Sequence, residues 1–411
     1  MTLIPSTPSA PRGRRNVFLL AVAQALFVSS AVISITYSGL VGEMLSGSKA
    51  MATIPVALIA IGAMAATMPA SFLMKRIGRR SGFFLGVGFG LTSAILAMTG
   101  ISLGSYALFC VAMMFQGAYQ AFTQYYRFAA VESVEHSFVS RGISYVLAGG
   151  VFAAIAAPQF GVYMRGLFPH AFFGAYVATL ILSLLACLPF FLFRNPEVQE
   201  EAVVGMERPL SQIAKSSIFI TAVLMAAGGY GLMILLMTST PLVMVDCGYS
   251  ASTAAFVIQW HVLGMFLPSF FTGTLIVRLG LMPVLWAGIG LFVIAGLTAL
   301  SGTGEMEFIL ALTLVGVGWN FLFIGGTTLL TESYRREEKA KVQAVNEFLV
   351  LGITSAASLM SGVLLSQIGW DAVVMGVFPV LGIMAVSLLW CAILRKKKQA
   401  AEVMVDPASG S

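Results

Sequence analysis

The sequence predicts an all-α membrane protein: twelve transmembrane helices in two pseudo-symmetric six-helix bundles. Three observations carry that prediction. Twelve apolar stretches, each roughly 20 to 28 residues long, recur along the 411-residue chain between short charged breaks, and about 20 apolar residues in helix cross a hydrocarbon core. The chain is 58% hydrophobic and only 10% charged, with a mean hydropathy of +0.93, whereas soluble domains are about a quarter charged. The net charge of +6 is distributed by side. With the N-terminus placed in the cytoplasm, the inner breaks hold twenty of the 23 lysines and arginines, the outer breaks hold Lys49 and Arg165, and Arg127 lies within a stretch. That asymmetry is the positive-inside pattern of an even number of spans with both termini inside. Because the cations sort by membrane side rather than forming one patch, no nucleic-acid partner is expected.

In chain order the stretches are 17–41, 51–74, 82–101, 104–131, 142–164 and 171–193, followed by 217–241, 252–276, 281–301, 306–331, 343–367 and 372–394. Residues 1–16, rich in Pro, Ser and Arg, read as a cytoplasmic tail. The stretch after them is too long for a signal-peptide core and ends without a clear cleavage site, so it reads as a retained anchor. Residues 17–193 form the N-terminal bundle, 194–216 a cytoplasmic linker with Pro196, Pro209 and the acids Glu197, Glu200 and Glu201 among its residues, 217–394 the C-terminal bundle, and 395–411 a basic cytoplasmic tail. The four cysteines, Cys110, Cys187, Cys247 and Cys391, show no metal or disulfide spacing and read as small apolar side chains.

The halves echo each other at an offset of about 200 residues. Tyr119-Gln120 answers Trp319-Asn320, Glu132 answers Glu332, Arg141 answers Lys341, and Arg76-Ile77-Gly78 answers Arg278-Leu279-Gly280. A repeat of this kind implies a substrate site near the midplane between the halves. The segment Arg76-Ile77-Gly78-Arg79-Arg80 resembles the loop motif G-x-x-x-D-R-x-G-R-R of the major facilitator superfamily, and Gly273 to Gly280 is similar to its weaker second copy. Ser71 stands for the motif's Gly and Lys75 for its Asp. The resemblance covers residues 15–395 and implies a transporter that works by alternating access. It also implies gating roles for Arg76, Arg79, Arg80 and Arg278, with Glu132 and Glu332 as acidic partners. Ala157-Pro158-Gln159-Phe160-Gly161 resembles the fifth-span element G-P-x-x-G-G of antiporters in that superfamily, with Pro158 as a hinge; Ala157 and Val162 depart from it.

Polar residues within spans face protein or a water-filled cavity, because lipid satisfies no hydrogen bond. Gln116, Gln120, Gln124 and Arg127 follow at i, i+4, i+8 and i+11 in the fourth span, within about 80° on one face, with Tyr119 nearby. Arg127 either orients an anionic substrate group or snorkels to the cytoplasmic interface. Gln24 in the first span, Gln259 and Trp260 in the eighth, and Trp319 and Asn320 in the tenth complete the candidate substrate-binding set. His261 either packs or relays a proton. Glu347 has three readings: a proton carrier, an ion-pair partner of Arg127, or an interfacial acid at a helix start. No acid lies in the first stretch as bounded here, so the coupling residue is sought at Glu347 and His261.

The expected function is secondary transport of a small organic solute across the cytoplasmic (inner) membrane, neutral or anionic and planar molecules included, by a monomer and without a cofactor. Efflux is favoured by the fifth-span element, and proton coupling is what the resemblance implies; an uptake permease or uniporter is the alternative, and a non-transporting sensor a more distant one. Three scattered histidines (His136, His170, His261), with no metal-binding helix motif and no Walker loop, speak against a membrane enzyme.

Overall fold

The structure, a computed structural model, describes residues 10–134, 139–195 and 208–405. Helix α1 covers Ala10–Ser46, α2 Ile54–Ile77 and α3 Arg79–Ser102; α4 runs as two segments, Tyr106–Thr123 and Tyr126–Glu132, followed by α5 Val139–Gly166 and α6 Phe173–Leu192. In the second half, α7 comprises Ser217–Val223, a π-helical turn at Leu224–Gly228, and Gly229–Asp246. Helix α8 comprises Ala251–Phe266 and Ser269–Leu279, α9 Leu281–Ser301, α10 Glu305–Thr331, α11 Lys339–Met375 and α12 Val377–Val405.

Among the described residues, eight continuous helical stretches are long and apolar enough to cross a membrane, and α8, bent by 41° at its break, makes a ninth. One of the eight, Lys341–Lys397, turns back at Gly369, whose φ of 78° is open to glycine, and so crosses twice. With α5 and the two-part α4, the fold is a twelve-helix bundle. Helix α1 extends beyond its apolar stretch at both ends, and Glu43 therefore belongs to it; the expectation of an acid-free first helix fails because a helix continues past the last apolar residue where its backbone remains bonded and its side chains find a polar boundary.

Small residues set the packing in both halves. A methyl on Gly62 would meet the Met114 carbonyl at 2.3 Å, and one on Gly117 the Ile59 carbonyl at 2.0 Å, so α2 and α4 touch backbone to backbone. Gly264 against the Thr313 carbonyl and Gly316 against the His261 carbonyl, at 2.6 and 2.4 Å, do the same for α8 and α10. Within the halves, α1 also packs on α5 and α6, and α7 on α11; between the halves, α2 meets α11, α5 meets α8, and α1 meets α7.

Candidate functional site

In each half a residue at or before the first helix is tied to the loop end of the fourth. Asn16 Nδ2 donates to Ser133 Oγ at 3.2 Å and to the Arg194 carbonyl at 2.9 Å, joining the starts and ends of α1, α4 and α6. In the second half, Arg208 donates to both Glu338 carboxylate oxygens, at 2.8 and 2.6 Å, and to the Ser333 carbonyl at 3.0 Å. The Arg208 guanidinium, helped by the Arg335 and Arg208 backbone N–H groups, holds the Glu338 carboxyl well below the usual carboxylate range.

The halves are joined at the other end. A set of hydrogen bonds and an ion pair cross between them toward the end away from the chain termini. Lys49 Nζ pairs with Asp246 at 2.5 Å, Ser358 Oγ donates to the Thr53 carbonyl at 3.3 Å, and the Gly362 N–H donates to Thr53 Oγ1 at 3.2 Å. Gln159 donates to Gln259 at 2.9 Å and Arg165 to Ser252 at 3.1 Å. A pocket of about 290 Å³ beside Pro158, Gln159, Phe256 and Glu305 lies at this closure.

From that closure toward the termini, the glutamine stripe of α4 emerges from the packing. Gln116 is buried, its Nε2 without an acceptor among the described residues; Gln120 is half-buried and Gln124 exposed, where the helix breaks before Tyr126. Half-buried Arg127 lies close enough to Glu347 of α11 for its guanidinium to act on that carboxylate across the two halves. Glu347 acts in turn on the Tyr230 hydroxyl. Tyr230 stands just after the π-helical turn of α7, a local widening that re-aims the side chains following it. Its ring meets Trp319 edge-on at 5.3 Å and Phe323 edge-on at 5.7 Å, and Trp319 and Phe323 stack at 5.1 Å and 11°. Arg127 of α4 and Glu347 of α11 thus act on each other across the halves, and Tyr230 of α7 links Glu347 to the α10 aromatics within the second half.

The remaining candidate residues fall elsewhere. Asn320 is buried and fully engaged: it donates to the Met265 carbonyl at 2.7 Å and Ser269 Oγ at 2.6 Å, and accepts from Thr272 at 2.6 Å, bracing the break in α8. It therefore lies outside the cavity wall where it was expected, because the interrupted α8 ladder leaves backbone groups that need a partner. Tyr119 is fully buried in the first half, edge-on to Phe27 at 4.9 Å and against Gly90, opposite to the expected wall position. His261 Nδ1 bonds the Leu312 carbonyl at 2.7 Å in a buried setting, which orients it as a packing group between α8 and α10. Gln259 serves the closure, Trp260 is 42% exposed beside Phe256, and Gln24 is half-buried on α1.

The expected gating residues divide similarly. Arg80 donates to the Phe190 and Phe191 carbonyls at 2.8 and 3.0 Å, capping α6 within its own half. Arg79 lies over the Tyr125 ring at 5.4 Å, while Arg76 and Arg278 are exposed in the last turns of α2 and α8. Glu332 pairs with Arg395 at 2.7 Å, binding α10 to α12. Pro158 is buried within α5, and the side chains of Glu132 and Arg141 lie outside the described residues. Sequence reasoning missed Tyr230 and Phe323. The Gly228-Gly229-Tyr230-Gly231 run, dense in helix-weakening glycine, was the available signal for the first; Phe323 carries none by itself.

The profile of the Major Facilitator Superfamily matches residues 17–350 and 232–404. The chain belongs to that superfamily. It is 39% identical to the riboflavin transporter RfnT of Brucella anthropi over 395 residues, 95% of this chain and 98% of that protein. It is 25% identical to the uncharacterised transporter YdeG of Bacillus subtilis over 86% of both chains. Among solved structures, the E. coli fucose:proton symporter FucP aligns with a TM-score of 0.63 over 92% of this chain and 98% of that one, at 17% identity, a likeness of fold. The chain is accordingly a multi-pass membrane transporter of the superfamily and not an enzyme.

Proposed function

We propose that this transporter imports riboflavin, or a closely related isoalloxazine compound, by proton-coupled alternating access in the inner membrane. The observation that carries the reading is the 39% identity to a riboflavin transporter along 98% of its length. A ring shelf facing a cation and an acid suits a flat, hydrogen-bonding and formally neutral molecule. The membrane potential does not act on a neutral solute, so accumulation requires a co-transported ion. Glu347 is the proposed proton carrier, since it is half-buried on α11 within the reach of Arg127 across the halves, and Arg127 is the partner that its protonation would release. The termini are placed in the cytoplasm by the charge asymmetry, which makes the present arrangement inward-facing. Segments 17–193 and 217–394 are taken as the two rocking bodies, within a monomer. Efflux is set aside because the element that favoured it departs from its pattern at Ala157 and Val162.

The test is riboflavin uptake into proteoliposomes with an imposed pH gradient, read by flavin fluorescence. Accumulation that requires the acidic side outside is the expected result. Folded protein that moves no riboflavin overturns the substrate, and accumulation driven by the opposite gradient overturns the direction.

A further inference from the structure

We propose that Tyr230, Trp319 and Phe323 form the subsite that recognises the fused-ring part of the substrate, separately from the polar groups that hold its hydrogen-bonding part. The inference rests on the riboflavin reading for its choice of probe, but not for its chemistry, which is that of any fused-ring heteroaromatic.

Three features carry it. First, Trp319 and Phe323 are one helical turn apart on α10 and stack nearly parallel, at 11°, so the outer face of Phe323 ends a two-ring stack as a flat surface. Trp319 is largely buried beneath that surface while Phe323 is half-buried, which leaves the Phe323 side for a ligand. Second, Tyr230 meets both rings edge-on and is also half-buried, a wall at right angles that limits how far a planar molecule can slide. Third, the shelf carries polar function at its edges. Trp319 Nε1 is a buried N–H without an acceptor among the described residues, and the Tyr230 hydroxyl lies in the field of Glu347. A buried unpaired donor costs free energy in the empty site and rewards a ligand that brings an acceptor. A purely apolar cluster would bind a hydrocarbon ring equally well; this one favours a ring system edged with acceptor nitrogens or carbonyls.

The corresponding positions of the first half hold no such shelf. Tyr119, which stands where Trp319 does, is turned into its own half against Phe27 and Gly90. Ring recognition is therefore a property of the C-terminal half, and the substrate is bound asymmetrically: rings on α7 and α10, polar end toward α4.

The experiment is equilibrium binding to the purified full chain in nanodiscs, using riboflavin, lumichrome (the ring without its ribityl chain), a pteridine and ribitol (the chain without the ring). Phe323→Ala and Phe323→Trp are compared with the parent, because Phe323 is half-buried and tolerates truncation; thermal unfolding confirms that each variant is folded. Loss of one aromatic stacking partner is expected to weaken riboflavin and lumichrome by roughly tenfold, with Phe323→Trp restoring affinity and the stacking-induced quenching of flavin fluorescence. Riboflavin bound with parental affinity and quenching by Phe323→Ala overturns the subsite while leaving the riboflavin reading intact. Binding of a pteridine but not riboflavin, lost in Phe323→Ala, overturns the riboflavin reading and supports the subsite. Binding of ribitol alone, or of none of the four compounds by the folded parent, overturns the subsite.

Discussion

In the N-terminal half, Gly62 and Gly117 bring α2 and α4 into backbone contact; in the C-terminal half, Gly264 and Gly316 do so for α8 and α10. Gly78 and Gly280, with φ of 83° and 90°, turn the chain between the second and third helix of each half in the same way. Ser133 and Ser333 receive the anchors of the two halves. Toward the space between the halves the likeness ends. The first half presents amides and Arg127, the second a ring shelf and Glu347. Positions whose side chain must be absent are constrained by the neighbouring backbone, which is the same in both copies. Positions facing the cavity are constrained only by the ligand, so the two copies are free to diverge. A site for one asymmetric molecule needs that divergence.

The largest expected effect strikes the shared skeleton. Gly117→Val and Gly316→Val each place a side chain inside a neighbouring backbone, where overpacking costs about 3 kcal/mol or more. Both are expected to abolish monodisperse protein on size-exclusion chromatography, and a large loss from one with a mild loss from the other would break the equivalence of the halves. Next is the site, where the halves are not equivalent. Arg127→Ala is expected to reduce transport of the proposed substrate at least tenfold, because it leaves the Glu347 charge without its cation, and removing one member of a partly buried charge pair costs about 2–5 kcal/mol. Thr327→Arg, which moves the cation to the matching position of α10, is expected not to restore transport in the Arg127→Ala background. Full rescue would show that the cavity reads charge without regard to side.

A smaller effect separates the two anchors. Glu338 is held below its ordinary carboxylate value of 4.5 by Arg208, so its stabilising contribution is complete above that value and is lost as pH falls from there toward the folded pKa. The Asn16 anchor has no titrating group. Hydrogen exchange between about pH 7 and about pH 4 is therefore expected to loosen the α10–α11 connection before the α4 end. Glu338→Gln should open that connection already at neutral pH and flatten the change. Equal acid loosening of both anchors would refute the distinction. The smallest effect is at the closure: Lys49 and Asp246 are 38% and 41% exposed, and Lys49→Ala is expected to cost about 0.2–1 kcal/mol. Its readout is cysteine labelling at the far end, which should rise modestly while the unfolding temperature scarcely moves.

Most of the fold was legible in the sequence. The length of the apolar stretches, the side bias of the cations and the echo between Arg76-Ile77-Gly78 and Arg278-Leu279-Gly280 need no tertiary information, because a bilayer forces each stretch into a self-satisfied helix and orients it by charge. Helical periodicity likewise placed Gln116, Gln120, Gln124 and Arg127 on one face. What periodicity does not decide is where a face points and which polar groups are already taken. Asn320 reads as a cavity amide until the break in α8 is seen to engage its donors and acceptor. Arg80 reads as a gate until the last carbonyls of α6 are found in its reach. His261 reads as either packing or a relay until the Leu312 carbonyl is found bonded to its ring. Tyr230 and Phe323, apolar enough to pass as packing, become a shelf only when the π-helical turn and the rise of α10 set their rings against Trp319. The sequence by itself determined the number of helices and their all-α membrane character, because those depend on local composition and on the solvent. Tertiary structure alone decided which polar and aromatic side chains remain available to a substrate, because availability is whatever the neighbouring backbone has not already consumed.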